Sequence, residues 1–183
     1  MRLLLAHLGI PYERIELDVI DRSNRRAVLG DKNPDLRVPV LVLDDGRALA
    51  ESDAILFYLA EGTQYLPADR FERAQVLQWS FFEQYSHEPN IAVARFWVSI
   101  LKKPDPQRLE EKQQGGYRAL DAMEAHLSAR TYLVGERYTI ADIALYAYTH
   151  VAGEGGFEMG RYPAVRAWLA RVAAQPGHVT IDS

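Results

Sequence analysis

The apolar pattern changes character near residue 63, and that change restricts the fold more than any other feature of the chain. Through about Gly62, short helical and strand-like stretches alternate, whereas from about Arg70 the spacing is helical almost to the end. Between them, Thr63-Gln64-Tyr65-Leu66-Pro67-Ala68-Asp69 has the length of a connector, and Pro67 opposes a helix running through it. The pattern predicts an α/β unit over residues 1–62, a linker over 63–69 and an all-helical unit over 70–183. A chain of 183 residues accommodates two small domains.

Within the first unit, Arg2 to Leu8 reads as a helix ending at Gly9, with Pro11 as the stop. Ile15, Leu17 and Val19 alternate with Glu16 and Asp18, which predicts a half-exposed strand. Asp21 to Leu29 is polar and fits a short helix or an irregular loop. Val38 to Leu43 reads as a strand, Asp45-Gly46 as a hairpin turn and Arg47 to Ala50 as the returning strand. Ser52 stands as the N-cap of an apolar helix closed by Gly62. In the second unit, Phe71, Ala74, Leu77, Phe81, Phe82 and Tyr85 recur at helical spacing up to Pro89, and Ile91 to Leu101 resumes it. Thr139 and Asp142 have the spacing of a capping box ahead of Ile143 to Val151, and Pro163 suits the first position of a last helix.

Composition removes whole classes of function. With no cysteine, the sequence forms no disulfide scaffold, thiolate zinc site or cysteine nucleophile of its own. The net charge is −4 and the cations are scattered, so the footprint of nucleic-acid binding is missing. Apolar runs are too short to span a membrane, and Pro11 arrives too early for a signal peptide, so a cytoplasmic protein is expected. The five histidines include no pair at ligand spacing, and no metal is expected.

Two short stretches carry chemistry. Pro39 cannot donate to a sheet, so the backbone groups of Val38 are available to a ligand, the more so if the Val38-Pro39 bond is cis; the simpler alternative is a proline that starts an edge strand. Ser52 at a helix N-terminus suits a carboxylate, and Glu51 beside it suits an ammonium. Together they fit an α-amino acid head group, against the alternative of an ordinary helix cap.

Taken in order, Asn33-Pro34, Val38-Pro39-Val40-Leu41, Asp45-Gly46, Glu51-Ser52 and the helix Ala54 to Leu59 resemble the glutathione-binding half of the glutathione transferases. The Thr139 to Asp142 box and the helix opening Tyr162-Pro163-Ala164-Val165 are similar to that family's second domain. The resemblance implies a thioredoxin-like N-terminal domain joined to an all-α helical bundle, with glutathione as co-substrate. It implies that Val38 pairs its backbone with the cysteinyl part of glutathione beside a cis Pro39, and that Glu51 and Ser52 hold the γ-glutamyl head. Arg37 either approaches the glycyl carboxylate or is a solvated surface arginine, and Leu36 replaces the glycine or histidine of many relatives. A small hydrophobic electrophile would lie between the domains, with Tyr85, Asn90 and Phe96 as candidates to line its pocket; for Phe96 a place in the core is the competing reading. A homodimer is implied as well, the first domain of one subunit against the helical domain of the other.

Members of that family open with a strand and a catalytic loop before their first helix, and this chain begins inside that helix. The resemblance therefore implies a first strand beside Val38–Leu43, and a catalytic residue, among about 15 residues preceding Met1. Either the start has been placed too late or the domain is a shortened, non-catalytic module. The corresponding functions are a glutathione-dependent transferase, conjugating or reducing electrophiles with the thiolate, and a transferase-like protein-interaction domain.

Overall fold

The computed structural model describes residues 1–181. Helix α1 (Arg2–Leu8) closes at Gly9, which adopts φ 63° and bonds through its amide to the Ala6 carbonyl. Its Leu3, Leu4 and Leu5 are all buried, because α1 packs against both α3 (Ser52–Ala60) and α7 (Ile140–Thr149). The polar stretch that follows carries one short helix, α2 (Arg25–Leu29).

The sheet of the described residues has two antiparallel strands, β1 (Val40–Val42) and β2 (Ala48–Ala50), paired Val40 to Ala50, Leu41 to Leu49 and Val42 to Ala48. β1 starts later than the sequence suggests, since Pro39 has no amide to contribute, and both strands stop one residue short of the expected bounds at the turn. The turn is pinned by the Leu43 amide on the Arg47 carbonyl at 2.9 Å. The strand expected over Ile15, Leu17 and Val19 does not form, and Ile15 is 70% exposed. A strand holds its backbone groups only against a neighbour, and none of the described strands lies alongside that segment.

Helix α3 also starts one residue earlier than expected. Glu51 is its N-cap and Ser52 its first helical residue, with no side-chain bond capping the turn. Glu51 takes φ 69° and ψ 120°, an uncommon conformation for a residue with a Cβ.

The helical unit begins at α4 (Arg70–Phe82), where the Asp69 carboxylate accepts from the amides of Phe71 and Glu72. The same rod continues through a π-helical turn (Glu83–His87), α5 (Glu88–Arg95) and a second π-helical turn (Phe96–Ile100). Helices α6 (Pro106–Leu127), α7 and α8 (Pro163–Ala173) complete the bundle. Gly116 lets α5, α6 and the loop after α7 approach closely: a Cβ there would meet the Phe157 ring at 2.5 Å and Ile91 at 3.1 Å. Thr139 and Asp142 form the capping box of α7. The buried Asp142 carboxylate accepts from the Thr139 amide (2.9 Å), the Leu133 amide (3.1 Å) and the Trp168 indole (2.8 Å), so one side chain ties α7, α8 and their preceding loop. Burial dominates over these donors and pushes its pKa up to about 6.

The last described residues run back across α1. Arg2 donates to the carbonyls of Thr180 (3.0 Å) and Ile181 (2.6 Å), and the His7 ring lies 2.9 Å from the Pro176 carbonyl. No helix of the described residues is long and apolar enough to cross a membrane.

Candidate functional site

A cleft of about 220 Å³ opens between the two units. Its first wall comes from the loop before β1 and the start of α3, and the chain builds that loop with buried polar side chains. Asn33 donates to the Arg37 carbonyl at 3.0 Å and accepts from the Asp35 amide at 3.1 Å, while the buried Arg25 donates to the Leu36 carbonyl at 3.2 Å. Leu36 turns with φ 57°. The loop delivers Val38 to the cleft with its side chain half exposed, and the Val38-Pro39 bond is cis. Neither backbone group of Val38 is used in a hydrogen bond among the described residues. Arg37 lines the cleft and pairs with Asp35 at 2.8 Å, both side chains well exposed.

Glu51, Ser52 and Asp53 adjoin Val38 in the same cleft, at the N-terminus of α3. The amides of that first turn and the helix dipole favour an anion, and Ser52 adds a hydroxyl. Three further carboxyl groups, of Asp53, Glu83 and Glu88, line the same cleft. Asp53 has one carboxylate oxygen buried without a hydrogen-bond partner, and burial followed by the charge of Glu51 pushes its pKa up to about 6 against the Ser80 hydrogen bond. Across the cleft, Glu83 is pushed up to about 8, by burial first and by Asp53 second. Burial also raises Glu88, with Arg37 opposing. Among the described residues Arg37 is the one cationic side chain lining this cleft. Such an arrangement accepts a zwitterionic head group: a carboxylate over the α3 terminus and an ammonium toward the carboxylates.

Arg37, Val38, Pro39, Glu51 and Ser52 are thus brought together. Tyr85, Asn90 and Phe96 are not brought to this cleft, and its helical wall consists instead of Glu83, Gln84, Glu88, Ala144, Ala147 and Tyr148. Tyr85 stands within the π-helical turn Glu83–His87, between residues whose side chains turn inward. Gln84 and Glu88 face the cleft, while Tyr85 is 87% exposed. Asn90 donates to the Ser86 carbonyl at 2.7 Å and presses against Gly115 of α6. Phe96 opens the second π-helical turn. His87 is fully buried against the Thr149 hydroxyl (2.8 Å), and burial pushes its pKa down to about 3, so it is a neutral structural group. His150 rests on the Tyr146 ring and carbonyl. No group of three metal-ligating side chains is placed to hold an ion among the described residues.

Sequence reasoning missed Asp53, Glu83 and Tyr148. Asp53 adjoins Glu51-Ser52 and was findable as the next carboxylate on that turn. Glu83 and Tyr148 carry no local signal, since only packing of α4 and α7 brings them to the cleft.

Comparison with known proteins agrees with this architecture. Residues 1–61 match the glutathione S-transferase N-terminal domain family, and residues 83–176 match the glutathione S-transferase C-terminal domain family. A glutathione S-transferase structure from Pseudomonas fluorescens Pf-5 superposes with a TM-score of 0.92 at 53% identity, over 97% of this chain and 90% of that one. The disulfide-bond oxidoreductase YfcG of Escherichia coli is 29% identical over 95% of this chain and 84% of its own length. Elongation factor 1-gamma of Artemia salina is 37% identical over 80% of this chain, which spans only 35% of that protein. The chain belongs to the glutathione S-transferase family, with a thioredoxin-like N-terminal domain and a helical C-terminal domain.

Proposed function

We propose that the protein binds glutathione in this cleft and transfers its thiolate to small hydrophobic electrophiles, conjugating or reducing them, in the cytoplasm. The observation that carries the reading is the placement of Glu51 and Ser52, at the positive end of α3, beside the unused backbone groups of Val38. In this reading the γ-glutamyl carboxylate lies over the first turn of α3 and its ammonium meets Glu51. The cysteinyl amide pairs with Val38, and Arg37 attends the glycyl carboxylate. Glutathione supplies the nucleophile, and the thiolate is the reacting form. The residues of the cleft bind and orient it, which is the contribution that turns a dilute thiol into an aimed one.

Calorimetric titration with glutathione tests this reading. Binding that falls on Ser52→Ala and on Glu51→Gln supports it, and a protein that takes up no glutathione overturns it. The similarity to elongation factor 1-gamma favours one second reading, a module that binds partners without chemistry. Glutathione uptake with no turnover across a panel of halides, enones and peroxides assigns that function instead.

We also propose a homodimer. Phe71, Leu77, Phe81 and Tyr85 leave an exposed apolar stripe along α4 and the following turn, with Phe71 71% and Phe81 69% exposed, and Tyr58 of α3 is exposed as well. Contiguous apolar surface of this kind marks an interaction face.

A further inference from the structure

Arg25, the first residue of α2, is a buried cation that does not itself line the cleft. No carboxylate pairs with it among the described residues. Its guanidinium donates instead to two backbone carbonyls, of Leu36 at 3.2 Å and of Asp18 at 3.4 Å, and its Nε–H is sealed in the interior without a partner. A guanidinium buried without a counter-ion is less stable than an apolar side chain of similar volume in the same place. What it supplies is a planar fork that spans two chain segments at a fixed separation.

One of those segments is the loop that delivers Val38 to the cleft. Leu36 takes φ 57°, in the left-handed region that an L side chain occupies only against steric resistance. The peptide plane before Leu36 is held by its amide on the Asn33 carbonyl at 2.9 Å. Among the described residues the plane after it, which joins the Leu36 carbonyl to the Arg37 amide, is held by Arg25 alone. The next plane joins the Arg37 carbonyl to the Val38 amide, and the Asn33 side chain holds that carbonyl at 3.0 Å. Because each peptide unit is planar, these bonds set the direction of the Val38 amide before any ligand meets it.

We propose that Arg25 is a positioning residue of the glutathione site: it holds Leu36 in the left-handed turn and so aims Arg37 and the Val38 backbone at the peptide part of the ligand. The assignment rests on the glutathione reading and adds to it a residue from outside the cleft. Without the guanidinium, Leu36 relaxes toward ordinary φ, the plane that follows it rotates, and Val38 no longer presents its amide to the cleft. The head-group anchors on α3 are untouched by that change.

A double-substitution cycle tests this, with S-methylglutathione affinity measured by calorimetry at a temperature where circular dichroism shows each variant folded. Glycine enters the left-handed region freely, so Leu36→Gly removes the need for a clamp. Arg25→Gln should weaken binding about 10-fold, the loss expected for a charged hydrogen bond. Leu36→Gly should weaken it by less than about 2-fold, and the double variant should return to within about 3-fold of the wild type. A merely structural role for Arg25 is not relieved by glycine at position 36, so a double variant whose loss is the product of the two single losses overturns the proposal. Wild-type affinity in Arg25→Gln overturns it as well. If Arg25→Gln fails to fold, Arg25→Lys, which keeps the charge and loses the fork, carries the same cycle. A wild-type protein that takes up no S-methylglutathione overturns the glutathione reading, and this proposal with it.

Discussion

Asp53 in the first turn of α3 and Glu83 in the π-helical turn of the helical unit both line the cleft, and after burial the charge of Asp53 is the largest influence disfavouring ionisation of Glu83. A buried carboxyl whose pKa rises on folding holds a proton that the unfolded chain has released. Its contribution to stability is complete below the ordinary carboxylate pKa of 4.5 and is lost as the pH climbs through about 8, the folded value for Glu83. Thermal unfolding should therefore show Tm falling between about pH 5 and pH 8, as the unfolding free energy drops by no more than roughly 1.4 kcal/mol per pH unit for one group. Glu83→Gln should flatten that slope, and an unchanged slope would show that Glu83 is ionised throughout.

Binding should carry the same signature. An ammonium placed toward Asp53 and Glu83 replaces their proton, so glutathione binding near pH 7 should release protons, seen as a dependence of calorimetric heat on the ionisation enthalpy of the buffer. Glu83→Gln should reduce the number released.

Glu51 holds a positive φ at a cost of roughly 1–3 kcal/mol, of the kind found where a ligand site over-determines the backbone. Glu51→Gly should relieve that strain and leave Tm unchanged or higher, while glutathione affinity falls about 10-fold or more with loss of the carboxylate. A variant that loses stability and keeps its affinity would contradict the role given to this residue.

Asp142→Ala should cost roughly 3–5 kcal/mol, because it strands the buried Leu133 amide and Trp168 indole at once. Gly116→Ala should cost about 1–3 kcal/mol, since the added methyl must displace Phe157. Denaturant unfolding measures both, and either change falling below about 0.5 kcal/mol would show that the packing yields there.

Phe81→Glu should convert the proposed dimer to a monomer in light scattering while leaving the fold intact by circular dichroism, because Phe81 is 69% exposed within its own chain. A wild-type monomer would remove the stripe on α4 from consideration as a self-association face.

The sequence disclosed most of what is local. Gly9, the Asp45-Gly46 turn and the Thr139–Asp142 box each announce an element through a conformation or cap that few residues supply. It also disclosed the half of the cleft that lies on one short stretch, from Arg37 to Ser52. The helical wall was illegible because Glu83, Gln84, Glu88 and Tyr148 reach the cleft only through the packing of two helices far apart in sequence, which no local pattern records. The strand read from Ile15, Leu17 and Val19 failed differently. Alternation records a willingness to pair, and pairing needs a partner strand that local pattern cannot supply.

The tie from Arg2 to the carbonyls of Thr180 and Ile181 spans 178 and 179 residues of sequence, and Ile181 borders the cleft. Contacts of such separation close a very long loop, at a correspondingly large cost in chain entropy. During synthesis, then, α1 and the head-group anchors emerge early but the rim of the cleft is finished only after residue 181 has left the ribosome. A nascent chain arrested before that point would present the anchors without the border that completes their cavity.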